Sequence, residues 1–299
     1  MTAVTDDLTG RTFVVTGANS GIGRVAAEDF ARRGAEVALV CRSQERGRLA
    51  LEAIRQHSGN PRVRLFIADF SSLASVAAVA GELLAAYPVI DVLCNNAGGA
   101  NGGRQVTEEG FERTFVTNHL SAFLLTRQLL PGLLAAAEAR QQARVVFTSS
   151  LGHKNSPLDF NDLNLEQGYS TLKAYGRSKL MNLLTARELQ HRYGDRDIIA
   201  SSFHPGAVRT AIWSKGGPLA SMLGLVMYPF MRTVEQGADT MIWLASSGDP
   251  EARQANGDYF VDRRKAEIAS FATDTAAEQL WQVSEDLVVP FTGENGTGS

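Results

Sequence analysis

Short apolar runs alternate with longer amphipathic stretches along most of the chain. The first four runs are RTFVVT, EVALVC, VRLFIA and DVLC, and the stretches between them, 23–33, 45–56 and 73–86, show helical patterns. Runs that are apolar along most of their length are typical of strands covered on both faces, and helical crossovers make a sheet parallel. The pattern therefore predicts the order β-α-β-α-β-α-β and a doubly wound sheet.

The second half of the chain continues this pattern. A long helical stretch over 107–139 precedes the run RVVFTS, and a helix around 175–193 precedes the run DIIASSF. A length of 299 residues, with 44% hydrophobic and 20% charged residues, fits one large core. We therefore predict a single α/β domain over 8–290, a Rossmann-type doubly wound parallel sheet of six to seven strands flanked by helices.

Three segments depart from the pattern. Residues 151–170 are rich in Gly, Pro, Asn and Asp and predict an irregular loop after the fifth strand. The tail, 291–299, is rich in Gly and is predicted to be disordered. The apolar stretch 218–231 is shorter than the roughly 20 residues of a membrane-spanning helix, so we expect no membrane span there. A core helix, a substrate lid over about 211–233, or a helix lying on a membrane surface each fits it.

Charge, cysteine and histidine content narrow the function classes. A formal net charge of −3 gives no basic field, so we expect no nucleic-acid partner. The first ten residues have no apolar signal region, which predicts a cytoplasmic protein. Cys41 and Cys94 each end an apolar run and are predicted to be buried free thiols. His119, His153 and His204 lack ligand-like spacing, so we predict structural roles for them and no metal site.

A glycine-rich turn follows the first predicted strand and leads directly into a helix. Its sequence, TGANSGIG over 16–23, has the spacing Gly-x-x-x-Gly-x-Gly. Gly17 permits a tight turn, Gly21 lets backbone amides approach a pyrophosphate, and Gly23 lets the helix pack on the sheet. The predicted dinucleotide-binding residues of this turn are Gly17, Asn19, Ser20, Gly21, Ile22 and Gly23.

The residue that follows the second predicted strand distinguishes the two nicotinamide dinucleotides. An acidic residue there accepts the ribose hydroxyls of NAD, whereas a basic residue meets the 2′-phosphate of NADP. Arg42 and Ser43 occupy this place, and a guanidinium forms charge-assisted hydrogen bonds to phosphate. The sequence therefore predicts NADP(H), with Arg24 or Arg46 able to share the phosphate. The alternative for Arg42 is a solvated surface charge.

A phenol and an ammonium stand four residues apart in the helix that follows the inserted loop. Tyr175 and Lys179 therefore share one helix face. A free tyrosine has a pKa of about 10, and acid/base work near neutral pH needs a lower value, which a nearby cation favours. The fifth strand leads into Ser149 and Ser150 at the carboxyl edge of the sheet, where doubly wound folds bind ligands. These residues predict a catalytic site at that edge.

Together these motifs resemble those of the short-chain dehydrogenase/reductase family. The likeness extends over about 10–290. The motifs that match are TGANSGIG over 16–23, NNAG over 95–98, TNHL over 117–120, Tyr-x-x-x-Lys over 175–179 and HPGAVRT over 204–210. The stretches CRSQERG, TNHLSAFLLT and HPGAVRT are most similar to the retinol-dehydrogenase-like branch. Ser150 and Tyr175 are 25 positions apart, more than in simple members, so we expect a remodelled mouth of the site.

The resemblance implies a role for each matched residue. Ser150 holds and polarises a substrate carbonyl, and Tyr175 is the general acid/base. Lys179 supports Tyr175 and binds the nicotinamide ribose, while the side chain of Asn118 orders a water for a proton relay. For Asp69, a cap on the next helix is the alternative to adenine binding. The other implied cofactor ligands are Asp69 and Phe70 at the adenine, Asn96 and Ala97 at the adenosine ribose, and Val208 and Thr210 at the nicotinamide.

The implied reaction is reversible hydride transfer between NADP(H) and a carbonyl or alcohol carbon. The apolar side chains of the lid region favour an apolar or aromatic small molecule, and they are Trp213, Met222, Met227, Tyr228 and Phe230. The lack of an anchor in the first ten residues argues against a lipid-embedded retinoid as the natural substrate. Two other functions stay open, an NADPH-dependent double-bond reductase and a non-catalytic NADP(H)-binding regulator. The resemblance also leaves both a homodimer, paired through helices around Asn118 and Tyr175, and a monomer open.

Overall fold

The computed structural model describes residues 6–208 and 231–292, and an eight-stranded sheet runs through this part of the chain. Its strands are β1 Thr12–Thr16, β2 Glu36–Cys41, β3 Val63–Ile67, β4 Val92–Asn95, β5 Ala143–Thr148, β6 Ile198–His204, β7 Tyr259–Val261 and β8 Arg264–Lys265. They lie in the order β3-β2-β1-β4-β5-β6-β7-β8. Neighbouring strands from β3 to β7 are parallel, and β8 pairs antiparallel with β7. The predicted Rossmann-type sheet is confirmed. It has one strand more than the six to seven that were predicted, because the short exposed β8 has no apolar run.

Helices cover both faces of the sheet. The helices of the described residues are α1 Gly21–Arg32, α2 Gln44–Ser58, α3 Leu73–Ala86, α4 Arg113–Phe115, α5 Ser121–Arg140, α6 Thr171–Tyr193, α7 Val234–Ser246, α8 Pro250–Arg253 and α9 Asp274–Val288. A π-helical turn, Val116–Leu120, joins α4 to α5, and 3-10 turns lie at Leu151–Asn155, Gly194–Arg196 and Val289–Phe291. Strands β1, β2 and β3 follow one another toward one edge of the sheet, and the strands from β4 onward follow one another toward the other edge, so the order switches between β1 and β4. This switch point places a ligand crevice at the carboxyl ends of those strands.

Alternate positions of each strand contribute to two separate cores. Val14 and Phe147 pack on one face of the sheet with apolar residues of α3, α5, α6 and α9. Phe13 and Val15 pack on the other face with residues of α1 and α7. Complete burial of one such side chain stabilises the fold by about 1.5–3 kcal/mol. Because both faces are covered, the carboxyl edge is where the sheet can meet a ligand.

The long helix predicted over 107–139 begins later and is not uniform. Gly110 has φ +89, a left-handed conformation that interrupts a helix. Glu112 is buried, and its carboxylate caps α4 by accepting two backbone N–H groups of that helix. Helical structure therefore starts at Arg113, and the π-helical turn then shifts the phase of the helix before α5. Apolar spacing alone gave no sign of either feature.

Two other predicted boundaries also differ. The segment 151–170 contains a 3-10 turn, and α6 begins at Thr171, capped by the hydroxyl of Ser170. Phe291 lies in a 3-10 turn, and its carbonyl accepts a hydrogen bond from Gln128 at 3.0 Å, so the ordered chain continues into the predicted tail. Residues 209–230, which include most of the lid predicted over about 211–233, lie outside the described residues.

The continuous helical stretch Arg113–Arg140 is long and apolar enough to cross a membrane by length and composition, with a mean hydropathy of 1.4. In the protein, 72% of its most apolar window is buried. It packs against α3 and the sheet, as the core helix of a globular domain does. Length and composition alone therefore do not make this stretch a membrane span.

Candidate active site

The two serines that follow β5 have different partners. The hydroxyl of Ser149 is buried and donates to the carbonyl oxygen of Lys179 at 2.7 Å. Ser150 caps the 3-10 turn by accepting the N–H of Gly152 at 3.2 Å, and its hydroxyl is near enough to the phenol of Tyr175 to lower the pKa of that phenol. The structure therefore brings Ser150, and not Ser149, to Tyr175.

Close packing of α6 on the 3-10 turn fixes this approach. A β-carbon added at Gly176 would lie 2.7 Å from the carbonyl oxygen of Gly152 and would clash with the hydroxyl of Ser156. Glycine at 176 is therefore needed for α6 to come near the turn. As a result, Ser150 on the turn and Tyr175 on the helix are within hydrogen-bonding reach.

Lys179 lies one turn after Tyr175, with its Nζ 5.5 Å from the centroid of the Tyr175 ring. The ammonium donates to the carbonyl oxygen of Thr148 at 3.0 Å, and burial lowers the pKa of Lys179 to about 8. Burial raises the pKa of Tyr175, whereas its hydrogen bond with Ser150 lowers it. Desolvation of the ring is the largest influence on this pKa, and the sequence did not show how far the ring is buried.

Asn118 is held in the π-helical turn by protein partners. Its Oδ1 accepts the N–H of Gly99 at 2.9 Å, and its Nδ2 donates to the Gly99 carbonyl and to the hydroxyl of Ser178, both at 2.9 Å. The Ser178 hydroxyl in turn donates to the Tyr175 carbonyl at 2.7 Å. The side chain thus ties the loop after β4 to α6. Nothing in the sequence indicated this tie, and the ordering of a water that the resemblance implies for Asn118 stays a prediction.

Thr16, at the end of β1, organises the loop that contains Asn96 and Ala97. Its Oγ1 accepts the N–H groups of both residues at 2.9 Å and donates to the carbonyl of Cys94 at 3.2 Å. The Asn96 amide donates back to the Thr16 carbonyl at 2.9 Å. Sequence reasoning did not assign Thr16 a role, although a hydroxyl at the end of a buried apolar strand is a usable signal.

The glycine-rich turn has the conformation its spacing predicted. Gly17 and Gly21 have φ +67 and +58, and a β-carbon at Gly23 would lie 2.7 Å from the Gly17 carbonyl oxygen. Asn19 and Ser20 complete the turn at the surface, and Ile22 begins the buried face of α1. The Ser20 side chain makes no capping hydrogen bond, so it does not compete for the first N–H groups of α1. Such a helix end suits a pyrophosphate.

Asp69 and Phe70 follow β3 at the same edge. The Asp69 Oδ1 accepts the N–H and the hydroxyl of Ser71 at 2.9 and 2.8 Å, which holds a tight turn. The N-cap of α3 is Ser72, so the alternative that Asp69 caps this helix is wrong. Phe70 is buried, and its carbonyl accepts the Ser121 hydroxyl at 2.8 Å.

Basic side chains surround the end of β2. Arg42 and Arg46 are exposed and Arg24 is partly buried. Within 6–208 and 231–292, none of the three forms an ion pair with a carboxylate. Ser43 caps α2 by accepting the N–H of Arg46 at 3.3 Å. The edge beside β2 therefore carries uncompensated positive charge.

The Pro-Gly segment after β6 is fixed at Val208. Val208 forms a parallel bridge with Arg232, and the N–H of Arg232 donates to the Ala207 carbonyl at 2.8 Å. The guanidinium of Arg232 pairs with both carboxylate oxygens of Asp262. Thr210, the other residue expected at the nicotinamide, lies outside the described residues.

The histidines and cysteines have the buried environments expected for structural residues. His119 stacks on Phe115, bonds the Ser284 hydroxyl at 2.8 Å, and has its pKa lowered by burial to about 3. Burial raises the pKa of Cys41 to about 11 and that of Cys94 to about 12, so both thiols are protonated at neutral pH. No group of three or more His, Cys, Asp or Glu residues suited to a metal ion occurs in the described part of the chain.

Known proteins have sequences similar to this one over nearly the whole chain. A family model described as short chain dehydrogenase matches residues 11–218. A putative daunorubicin C-13 ketoreductase, DnrU, of Streptomyces sp. (strain C5) is 40% identical over 283 residues, covering 94% of this chain and 93% of that protein. Human retinol dehydrogenase 14 is 38% identical over 296 residues, covering 93% of this chain and 86% of that protein.

The fold has matches among solved structures as well. A crystal structure of an uncharacterized protein from Mycobacterium Paratuberculosis superposes with a TM-score of 0.76 at 30% identity, covering 95% of each chain. The sequence motifs, the sheet order and these likenesses agree. The chain is thus an oxidoreductase that belongs to the short-chain dehydrogenase/reductase family, in its retinol-dehydrogenase-like branch.

Proposed function

We propose that this protein is an NADP(H)-dependent oxidoreductase that transfers hydride between the nicotinamide and a carbonyl or alcohol carbon of an apolar or aromatic small molecule. The observation that carries the proposal is the approach of the Ser150 hydroxyl to the Tyr175 phenol, with the Lys179 ammonium 5.5 Å from the centroid of the phenol ring. The three groups lie at the carboxyl edge of the sheet, beside the glycine-rich turn. A hydroxyl, a phenol and an ammonium so placed can bind a carbonyl oxygen and give it a proton.

In the direction of reduction, the carbonyl oxygen accepts hydrogen bonds from Ser150 and Tyr175, which polarise the carbonyl. The bound dinucleotide supplies the hydride to the carbonyl carbon. Tyr175 then gives its phenolic proton to the oxygen, where negative charge develops, and regains a proton from solvent. The Lys179 ammonium, 5.5 Å from the centroid of the ring, is the cation placed to stabilise the phenolate left by that transfer. Alcohol oxidation is the same sequence in reverse.

The residues of the crevice fit a dinucleotide with a 2′-phosphate. The uncapped N-terminus of α1 suits the pyrophosphate, and the Oδ2 of Asp69 is not used in holding its own turn. The unpaired Arg42 and Arg46 offer charge-assisted hydrogen bonds to a phosphate at the end of β2. Their positive charge favours NADP(H) over NAD(H).

The names of two relatives support the substrate class. One is named for ketone reduction on daunorubicin, and the other for the oxidation of retinol. Both names place the reaction at a carbonyl or alcohol carbon. The lid region predicted from the sequence, about 211–233, would supply apolar and aromatic side chains to such a molecule.

The test is turnover of NADPH, with NADH as the control, on a panel of aromatic ketones, daunorubicin, retinal and simple aldehydes. We expect NADPH-dependent conversion of a carbonyl to an alcohol, established by product analysis. Reduction of a carbon-carbon double bond would favour the alternative reductase. Tight NADPH binding without turnover would favour the regulator. Tyr175→Phe should abolish turnover and retain NADPH binding, and full activity in that variant would refute the assigned chemistry.

A further inference from the structure

Buried polar atoms without protein partners cluster behind Ser150. Among the described residues, they include Nε2 of His153, the hydroxyls of Ser202 and Tyr259, and Nδ1 of His204. Ser202 and Tyr259 are register partners on β6 and β7, so their side chains leave the same face of the sheet, as does that of His204 two positions on. Buried polar groups in proteins are nearly always satisfied, so several such atoms together indicate an unassigned polar network.

His153 connects this cluster to the candidate active site. It is fully buried, and its ring packs edge-to-face against that of Tyr259, with centroids 4.8 Å apart. On its other side, Nδ1 lies 2.7 Å from the carbonyl oxygen of Ser150, and the backbone N–H of His153 donates to the same oxygen at 3.1 Å. The imidazole of His153 thus contacts both Tyr259 on β7 and the backbone of Ser150.

The bond to Ser150 determines the tautomer of this histidine. A carbonyl oxygen only accepts hydrogen bonds, so Nδ1 of His153 carries a proton. Burial lowers the pKa of His153, which keeps the ring neutral. Nε2 is then a bare acceptor in the buried cluster and requires a donor.

Tyr259 offers that donor. Its hydroxyl is buried without a partner, and burial, together with the charge of Tyr175, raises its pKa so that the phenol stays protonated. A phenol that keeps its proton can donate a hydrogen bond.

We propose that His153 and Tyr259 are positioning residues for Ser150. The Tyr259 hydroxyl donates through one internal water to Nε2 of His153, and the Nδ1–H of His153 holds the Ser150 carbonyl. Because the Ser150 hydroxyl caps the same 3-10 turn, a fixed carbonyl keeps that hydroxyl directed at Tyr175. The inference rests on the proposed role of Ser150 in binding a carbonyl oxygen.

The test compares variants that remove different parts of the chain of hydrogen bonds. His153→Phe keeps a ring against Tyr259 but removes both nitrogens, and kcat should fall about tenfold or more while the Kd for NADPH stays unchanged. His153→Asn keeps a donor near the position of Nδ1 and should recover part of kcat. Tyr259→Phe removes only the hydroxyl and should lower kcat, and adding it to His153→Phe should cause no further loss.

Ser284→Ala is the matched control. It removes the hydrogen-bond partner of another buried histidine, His119, and should leave kcat unchanged. The imidazole ¹⁵N resonances supply a readout that does not depend on activity. In the unmodified protein, His153 should be protonated at Nδ1, and Tyr259→Phe should shift its Nε2 resonance.

The outcomes separate this inference from the proposed function. Wild-type kcat in His153→Phe, alongside an inactive Tyr175→Phe, would overturn the positioning role and leave the function intact. Activity retained in Tyr175→Phe would overturn the function itself. If His153→Phe does not fold, Tyr259→Phe decides the matter: unchanged kcat and an unchanged Nε2 resonance would overturn the inference.

Discussion

Replacing Gly23 with alanine should destabilise the protein although it improves helix propensity. Gly23 lies in the first turn of α1, where a β-carbon would meet the carbonyl oxygen of Gly17 at 2.7 Å and its carbonyl carbon at 3.2 Å, and would clash with the Asn96 amide. The Asn96 side chain could move, but it would lose its bond to the Thr16 carbonyl. The Gly17 contacts are backbone, so α1 or the glycine-rich turn must shift.

The size of the effect follows from three contributions. Overpacking against backbone costs about 1–3 kcal/mol. Loss of the Asn96 hydrogen bond costs about 1 kcal/mol. Alanine regains at most about 1 kcal/mol of helix propensity over glycine. We therefore expect Gly23→Ala to lower the free energy of unfolding by about 1–3 kcal/mol and to weaken NADPH binding, because the displaced turn is the predicted pyrophosphate site.

Gly81→Ala provides the matched measurement. Gly81 is also helical, in α3, but it is exposed and has no atom within 4 Å of an added β-carbon, so the same substitution should stabilise the protein by about 0.5–1 kcal/mol. Urea unfolding and NADPH titration of both variants give the comparison. If Gly23→Ala proved as stable as Gly81→Ala and bound NADPH normally, the close approach of α1 to the turn would be refuted.

Three further predictions concern single side chains of the site. The pKa of Lys179 is about 8 in the folded protein and 10.5 ordinarily, so between these values the unfolded chain binds more protons and the free energy of unfolding should rise with pH. Urea unfolding over pH 7–10.5 should show that Lys179→Met lacks this rise. Identical pH slopes in the two proteins would contradict the prediction. Arg42→Ala should raise the Kd for NADPH by about tenfold or more and leave that for NADH unchanged, whereas Arg48→Ala, which removes an exposed arginine paired with a glutamate, should change neither in fluorescence titrations. Thr16→Val leaves two amides of the loop after β4 without an acceptor and should cost about 2 kcal/mol or more of unfolding free energy; a loss below about 0.5 kcal/mol would show that the loop finds other partners.

The order of strands and helices could be predicted because the parallel sheet is covered on both faces. Its strands are therefore apolar runs, and polar site residues stand immediately after them, as Asn96 after β4 and Ser150 after β5 show. The same regularity led to Gly17 and Gly23, where backbone geometry requires glycine. Local sequence thus determines which residues reach the carboxyl edge.

Features that depend on distant contacts could not be predicted in this way. The start of the long helix is decided by the buried carboxylate of Glu112, and the role of Asn118 by its partners Gly99 and Ser178. The pairing of His153 with Tyr259 joins residues 106 positions apart. Each depends on burial and direction of a side chain, which apolar spacing does not encode.

The bridge between Val208 and Arg232 has a consequence for how this protein can diverge from its relatives. The bridge joins the chain before residue 209 to the chain after residue 231, and the Arg232–Asp262 pair secures this junction from the side of β7. With its two ends already joined, an intervening segment can double in length for only about 0.6 kcal/mol of closure entropy. Evolution can therefore exchange the sequence between these ends without rebuilding the framework that holds Ser150 and Tyr175.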